Sequence, residues 1–345
     1  MRLSLCIATL NREAYIGPTL DAILPQLTPE VEVVIVDGAS RDGTPALLAG
    51  YARRHPQIVY HRETENSGVD RDFDKAVGYA SGEYCWLMSD DDTLAPGAIS
   101  AVLARLADGP QLVIVNSEIR DKQLRSVLKP RQLAIDSDRD YGAQDHERFF
   151  SDAGSYLSFI GAVVVQRSWW MARERAAYYG SLFIHVGVIF QQPAPNHVRL
   201  IAEPLVRIRY GNALWTSRAF DIWVFKWPGL IGSFTHFGTQ ARQTVSHFAP
   251  AARLRTLLWY RALGVYGQDE WSHLCSLKAG QRGHLLGGVV SRLPARIVNA
   301  TLALYFFFSN RSDARMWLYD LSQASAAGGL TRWLAKRSRF PETEI

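Results

Sequence analysis

The sequence predicts an α/β fold: a mostly parallel sheet flanked by helices, followed by a largely helical C-terminal region. Across the first hundred residues, short apolar segments alternate with segments of helical spacing. Residues 31–36 are almost continuously β-branched, which is typical of a strand buried on both faces. Residues 215–333 carry apolar side chains at helical spacing. We therefore predict one domain over residues 1–212 and a second, helical region over residues 213–345.

The elements of the first domain follow from these patterns in chain order. The predicted strands are residues 3–8, 31–36, 58–61, 84–88 and 112–116, and the predicted helices between them are residues 15–24, 44–54, 69–80 and 96–106. Residues 122–140 are polar and predicted to be irregular. Residues 155–166 predict a strand or buried segment, residues 167–178 a helix, and residues 200–210 a strand.

The charge of the chain is unevenly distributed. The net charge is +5, but the segment from Trp215 onward has 16 Lys and Arg against 7 Asp and Glu, which is +9. Seven of the ten tryptophans lie in the same segment. Basic charge interleaved with aromatic residues is typical of surfaces that bind nucleic acid or anionic membranes, and also of an ordinary solvated surface.

The cysteines and the N-terminal segment predict a cytoplasmic protein. Cys6, Cys85 and Cys275 lack metal-ligand spacing, which favours free thiols in a reducing compartment. The first residues fit a strand better than a signal peptide. No apolar stretch approaches the roughly 18 residues that a membrane-spanning helix needs.

Polar residues follow three predicted strands at their carboxyl ends, the edge of a parallel sheet where ligands bind. Thr9 and Asn11 follow the first strand, Asp37 the second, and Asp90–Asp92 the fourth. Like charges so close raise each other's pKa, and Mg²⁺ or Mn²⁺ bridging to a phosphate would relieve the strain. The alternative is that these acids cap the next helix. The absence of a Gly-rich loop after the first strand disfavours dehydrogenases, P-loop kinases and nucleotidyltransferases.

Four segments together resemble the family 2 glycosyltransferases, which have the GT-A fold. They are residues 4–11, residues 33–44, Asn66-Ser67-Gly68 and residues 90–96. The resemblance extends over about residues 1–210. The sequences of residues 68–77 and 84–92 are similar to those of the bacterial subgroup that contains abequosyltransferases and related O-antigen or capsule enzymes.

The resemblance implies a nucleotide-sugar site. Asp37 would hold the base or ribose, although Asp-Gly is also a common turn. Thr9 and Asn11 would line the nucleotide pocket, with helix capping as an equal alternative for Asn11. Asp70 would contact the donor sugar or ribose, and Arg71 or Lys75 would contact the diphosphate.

The resemblance also implies a metal site that holds Mn²⁺ or Mg²⁺. Asp91 and Asp92 match the family motif best as metal ligands, with Asp90 at the nucleotide-sugar. Ser89 stands where the family often has its first Asp, so which carboxylate binds the metal directly is left open.

The family usually has Glu-Asp at a helix start about a hundred residues after the metal motif. Residues 181–186 have no carboxylate there, and His185 is the predicted catalytic base. A structural role for His185, and Asp152 or Glu174 as the base, are the alternatives. Tyr156 falls where the family shapes its acceptor pocket.

The resemblance thus implies an inverting, metal-dependent glycosyltransferase of bacterial surface polysaccharide synthesis. The donor would be a UDP, CDP, GDP or dTDP sugar, the acceptor a glycan or a polyprenyl-linked glycan, and no nucleic acid is expected. Phe306–Phe308, Arg311, Arg315 and the basic residues 332–339 suggest peripheral attachment to an anionic surface at the inner face of the plasma membrane. The alternative is a nucleotide-sugar-binding or catalytically inactive module.

Overall fold

The computed structural model describes residues 1–212, 218–247, 250–277, 284–311 and 313–338. Their backbone divides into two compact units. The sheet unit comprises Met1–Ile119, Pro130–Arg209 and Ser233–Val245, and the helical unit comprises the remaining described residues. A functional division at residue 212 stays a prediction.

Ten strands occur in the described chain. They are β1 Leu3–Thr9, β2 Val31–Asp37, β3 Ile58–Arg62, β4 Tyr84–Met88, β5 Thr93–Leu94, β6 Leu112–Arg120, β7 Val127–Lys129, β8 Arg139–Gly142, β9 Val163–Gln166 and β10 His197–Arg209. The main order is β3-β2-β1-β4-β9-β6-β10-β5, with β8 beside β10. The first four strands in this order are parallel, whereas β9 is antiparallel to both neighbours. The predicted α/β class is confirmed.

Helices follow the strands in the sheet unit. They are α1 Glu13–Ile23, α2 Thr44–Arg54, α3 Val69–Tyr79, α4 Ala98–Arg105, α5 His146–Ala153, α6 Arg167–Met171 and α7 Ile184–Phe190, with α10 Thr239–Val245. Every residue of β1, β2 and β4 is buried. The continuous apolar sequence of these strands therefore reflects a sheet that is covered on both faces.

Three predicted elements differ in part from the structure. In residues 155–166 the strand is limited to Val163–Gln166; Tyr156–Ser158 and Ile160–Ala162 are 3₁₀ turns, with four of their residues buried, which fits the alternative of a buried segment. The helix predicted over 167–178 ends at Met171, after which Arg173 donates to the carbonyls of Val188, Gln191 and Pro193. The region 122–140 contains β7 and the beginning of β8 rather than being wholly irregular. In the α6 case a buried cation that binds three carbonyls outweighs helical spacing.

The helical unit contains most of the remaining helices. They are α8 Ala219–Asp221, α9 Trp227–Ser233, α11 Leu254–Leu263, α12 Gln268–Leu277, α13 His284–Arg292, α14 Ala295–Phe307, α15 Ala314–Gln323 and α16 Gly329–Arg337, and a π-helical segment Ile222–Lys226 joins α8 to α9. Among the described residues, no helix is both long and apolar enough to cross a membrane.

Candidate nucleotide-sugar site

The ends of β2, β1 and β4 place three predicted site residues at one level of the sheet. Thr9 pairs in register with Asp37, and Ile7 pairs with Met88. Asp90 follows Met88 by two residues, as Thr9 follows Ile7. All three site residues are buried. Because the strands are parallel, their carboxyl ends meet at the same edge, where an open α/β sheet binds ligands.

Asp37 is held rigidly at this edge. One carboxylate oxygen accepts the backbone N–H of Ser40 at 2.8 Å, and the other accepts the hydroxyl of Tyr60 at 2.8 Å. Burial, together with the bond and charge of Asp37, raises the pKa of Tyr60. Asp37 is thus a turn residue, and each of its oxygens keeps a second lone pair for a ligand.

Asn11 joins the loop after β1 to the loop after β2. Its side-chain oxygen accepts the N–H of Arg41 at 2.8 Å, while its own N–H donates to the hydroxyl of Ser40 at 2.8 Å. Its φ is +55°, a conformation that Asn tolerates better than most residues. The N-cap of α1 is Arg12, so the alternative that Asn11 caps this helix is wrong.

A guanidinium group lies between two carboxylates of the Asp90–Asp92 cluster. Arg12 places Nε 3.2 Å from an oxygen of Asp90 and a terminal nitrogen 3.2 Å from an oxygen of Asp91. The hydroxyl of Ser89 donates to the other oxygen of Asp91. Ser89, which stands where the family often has an acid, therefore supports Asp91 directly.

Asp92 is held from the opposite side by β10. One carboxylate oxygen accepts the N–H of Arg209 at 2.8 Å, and the Nε of Arg209 donates to the carbonyl of Asp91 at 2.8 Å. The hydroxyl of Thr19 donates to the Asp92 carbonyl at 2.8 Å. The Asp92 carboxylate is thus bonded to the backbone of β10, whereas the carboxylates of Asp90 and Asp91 are paired with Arg12.

The cluster is short of positive charge despite Arg12. Burial, followed by the charge of Asp91, raises the pKa of Asp90 from 3.8 to about 7. The same two causes raise the pKa of Asp92 well above its usual value. Within the described part of the chain, no three His, Cys, Asp or Glu side chains form a ready-made metal site. Mg²⁺ commonly takes only one or two carboxylates and completes its shell with phosphates and water, so a carboxylate pair fits this mode.

Asp70 has a partner that its sequence context does not reveal. Its carboxylate accepts the backbone N–H groups of Gly180, Leu182 and Ile184 at 2.8, 2.9 and 3.1 Å. It therefore anchors the loop that enters α7, over a hundred residues away in sequence. The predicted contact with the donor would have to be made beside these three bonds.

Asp72 was missed by sequence reasoning. It is buried, accepts the hydroxyl of Ser67 at 2.7 Å, and has a pKa that burial raises. A Cβ placed on Gly38 would lie 2.6 Å from an oxygen of Asp72. Asp72 thus lies against the turn that follows Asp37, and the glycine at position 38 was the signal that another group packs there.

Arg71 is exposed, and its guanidinium lies over the ring of Tyr179 at 5.1 Å. Lys75 forms an ion pair with Glu63 at 2.5 Å. Asp72 also lies close enough to Lys75 for the two charges to affect each other's pKa. The described contacts therefore place Lys75, rather than Arg71, beside Glu63 and Asp72, close to the turn that follows Asp37.

His185 is the second residue of α7. Only 1% of its surface is exposed, and its Nε2 is 2.7 Å from the carbonyl of Leu157. Nε2 therefore carries the proton and donates, while Nδ1 has no hydrogen-bond partner among the described residues. Burial lowers the pKa of His185 from 6.5 to about 4. These contacts fit a neutral, structural histidine, so its role as the base stays a prediction.

The 3₁₀ turn Tyr156–Ser158 lies near both His185 and the acidic cluster. Leu157 accepts the hydrogen bond of His185, and the charge of Asp92, added to burial, raises the pKa of Tyr156. The Tyr156 hydroxyl donates to the carbonyl of Val115 at 2.6 Å. The turn expected to shape the acceptor pocket is therefore a neighbour of the Asp90–Asp92 cluster.

The two alternative bases have their own contacts. Asp152 accepts the hydroxyl of Tyr141 at 2.8 Å. Glu174 accepts the N–H of Ala177 at 3.1 Å. Neither contact involves a residue at the strand ends that carry Thr9 and Asp37.

Comparison with known proteins identifies the family. Residues 4–176, half of the chain, match the model of the glycosyl transferase family 2. The chain belongs to this family. It is thus a family 2 glycosyltransferase, as its motifs predicted.

Named relatives include bacterial glycosyltransferases. The chain is 27% identical to the abequosyltransferase RfbV of Salmonella typhimurium over 61% of this chain and 68% of the relative. It is 24% identical to a GalNAc(5)-diNAcBac-PP-undecaprenol beta-1,3-glucosyltransferase of Campylobacter jejuni, over 40% of this chain and 45% of the relative.

Solved structures share the GT-A-like fold. S. aureus TarS 1-349 in complex with UDP matches with a TM-score of 0.57 and 15% identity, over 100% of this chain and 94% of that one. The mannosyltransferase PcManGT of Pyrobaculum calidifontis, in complex with GDP-Man and Mn²⁺, matches with a TM-score of 0.53 and 18% identity, over 96% and 87%. At this identity the likeness concerns the fold.

Proposed function

We propose that this glycosyltransferase is inverting and metal-dependent, and that it transfers a sugar from a nucleotide-diphosphate donor in bacterial surface polysaccharide synthesis. The alignment of Thr9, Asp37 and Asp90 at one edge of the sheet, beside the Arg12–Asp91 contact, is the observation that carries the proposal. The donor's base and ribose would lie near Asp37 and Asp72, and its diphosphate near the acidic cluster.

Asp91 is the proposed metal ligand with the strongest support. It is the central carboxylate of the cluster, and its charge raises the pKa of both neighbours. Mn²⁺ or Mg²⁺ would neutralise the departing diphosphate when bound. Asp90 shares Arg12 with Asp91, whereas Asp92 is tied to β10, so the described contacts favour Asp90 over Asp92 as the second ligand.

An inverting transfer needs a base that takes the proton of the acceptor hydroxyl. His185 is our sequence-based candidate, and Nδ1 is its unprotonated nitrogen. With a pKa near 4 it is neutral at physiological pH, but it is buried, so an acceptor would reach it only after the residues that cover it move. Loss of activity in His185→Asn with normal donor binding would support the role.

The acceptor is proposed to be a glycan or a polyprenyl-linked glycan, handled at the inner face of the plasma membrane. The Campylobacter relative is named for an undecaprenol-linked substrate, and the basic segment after residue 215 suits an anionic surface. The sequence also predicted that the basic residues 332–339 contact the membrane; the last of them, Arg339, lies outside the described residues.

A donor screen tests the proposal. UDP, CDP, GDP and dTDP sugars are titrated into the purified chain by calorimetry, with and without Mn²⁺, and the anomeric configuration of any product is read by NMR. We expect one nucleotide to bind more tightly with Mn²⁺ and to give an inverted product. Asp91→Asn should lose the metal effect, whereas the exposed control Asp136→Asn should keep it.

Two outcomes would count against the proposal. Transfer by Asp91→Asn at the wild-type rate would remove the metal assignment. Tight donor binding without transfer to any glycan would favour a nucleotide-sugar-binding module, which the missing carboxylate in residues 181–186 already suggests as the alternative.

A further inference from the structure

Helix α14 in the helical unit presents apolar side chains to solvent. Ile297, Leu304, Tyr305 and Phe308 are 64%, 38%, 55% and 77% exposed. At about 100° per residue, their positions fall within roughly a 100° arc of the helix surface. We call these four residues the α14 face. A helix at a protein surface normally carries polar residues on its outer side, whereas this part of the outer side of α14 is apolar.

The opposite side of α14 is fixed in the core, which determines how the helix is oriented. Asn299 is fully buried, and its amide donates to the carbonyls of Ala262 in α11 and Leu321 in α15, each at 3.0 Å. The hydroxyl of Thr331 in α16 donates to the Asn299 oxygen at 2.6 Å. Three helices therefore hold α14, and the apolar face cannot turn inward without breaking these bonds.

The structure changes the sequence-based view of the Phe306–Phe308 segment. Phe306 and Phe307 pack against the core cluster built around Ala303 and Leu318, and Phe306 stacks on Trp317. Only Phe308 projects strongly into solvent. The exposed surface therefore consists of residues at positions 297, 304, 305 and 308 rather than of three consecutive phenylalanines.

The charges of this part of the helical unit are mostly positive. The described residues 284–311 and 313–338 contain seven Lys or Arg against two Asp, Asp313 and Asp320. Arg296 lies at the beginning of α14 and Arg311 just beyond its end, and both are exposed. The preceding helix α13 also has exposed apolar residues, Leu286 and Val289. Apolar side chains bordered by arginines are the pattern of helices that lie in the interface of an anionic bilayer.

We propose that the α14 face is a membrane-docking surface that lies on an anionic lipid bilayer. Its apolar side chains would enter the boundary between headgroups and acyl chains, with the two arginines at the lipid phosphates. Charge favours this occupant over an apolar protein partner, since Lys and Arg outnumber Asp and Glu by seven to two in the described residues 284–338. The inference extends the lipid-linked acceptor of the proposed function.

Vesicle sedimentation of the full chain tests the proposal. The vesicles contain phosphatidylcholine alone or phosphatidylcholine with one quarter phosphatidylglycerol. We expect the wild type to bind the anionic vesicles and to be released by high salt. The double variant Leu304→Gln/Phe308→Gln should lose roughly tenfold in binding, because apolar burial and charge act together in interfacial helices.

The control is Leu254→Gln in α11, since Leu254 is 45% exposed in the same unit but lies outside the α14 face. It should bind like the wild type. Far-UV circular dichroism and thermal melting of all variants should match the wild type, because the changed side chains are exposed.

Three results would overturn the inference. They are no binding of the wild type to anionic vesicles, equal binding by the double variant, and a dimer in light scattering that the double variant abolishes. Donor binding is measured separately without vesicles. A double variant that binds donor normally but not vesicles keeps the two proposals apart, and a wild type that binds vesicles but no donor would contradict only the proposed function.

Discussion

Replacement of Asp90 by Asn should stabilise the metal-free protein at alkaline pH while it weakens donor binding. The substitution keeps the shape of the side chain and removes its charge. Asp90 is 7% exposed, and its pKa rises from 3.8 to about 7 because of burial and the neighbouring Asp91. Arg12 would still have Asp91 as its partner after the change.

The size of the effect follows from this pKa. A folded-state pKa above the unfolded value means that the contribution to stability is present below pH ~4 and is lost as the pH rises through about 7. At about 1.4 kcal/mol per pKa unit, ionised Asp90 costs at most about 4 kcal/mol of folding free energy at pH 8. Asp90→Asn should recover between about 1 and 4 kcal/mol of this, because the charges of the cluster share the cost.

Urea unfolding in EDTA at pH 5 and pH 8 measures the prediction. The gain should be larger at pH 8, and the dependence of stability on pH between 4 and 7 should flatten. The exposed control Asp136→Asn should leave both unchanged. An Asp90→Asn protein that is less stable than the wild type at pH 8, or that has the same pH dependence, would refute the electrostatic reasoning.

Three further predictions concern other parts of the sheet unit. Asp70→Asn should destabilise the fold by about 2–3 kcal/mol, since three backbone N–H groups lose a charged acceptor; faster hydrogen exchange at those amides and an unchanged Asp136→Asn control would support it. His185→Asn should reduce the loss of stability that occurs as the pH falls from 6.5 towards 4, because the lowered pKa of His185 stabilises the fold above this window; acid melts that coincide with the wild type would contradict this. Gly38→Ala should weaken nucleotide binding in calorimetry roughly tenfold, because the new methyl group meets a buried carboxylate at 2.6 Å. Gly78→Ala, where nothing lies within 4 Å, should bind like the wild type, and equal binding by both would exclude the steric argument.

The part of the fold that the sequence predicted depends on local pattern. The strands β1, β2 and β4 are buried on both faces, so their apolar runs were recognisable, and each observed helix α1 to α4 lies within two residues of its predicted bounds. The position of Thr9, Asp37 and Asp90 at the same edge of the sheet followed from its parallel topology alone.

What the sequence could not predict depends on distant contacts. Asp70 receives its three N–H donors from residues 110 to 114 positions away, and no local spacing encodes that pairing. The antiparallel insertion of β9 between β4 and β6 likewise joins segments far apart in the chain. The burial of His185 could not be predicted from its sequence, because the one polar side chain in the otherwise apolar helix α7 could equally have faced a ligand site.

With the proposed metal site, the position of Arg12 would make donor binding an exchange of counter-ions. Before a nucleotide arrives, the guanidinium already neutralises part of the charge on Asp90 and Asp91. If the proposed divalent cation binds with the diphosphate, it would bring its own positive charge to the same oxygens, and Arg12 would have to share them or move. The released arginine would then face the incoming phosphates, and the protein would keep its positive charge in the site while the partner of that charge changes from carboxylate to phosphate.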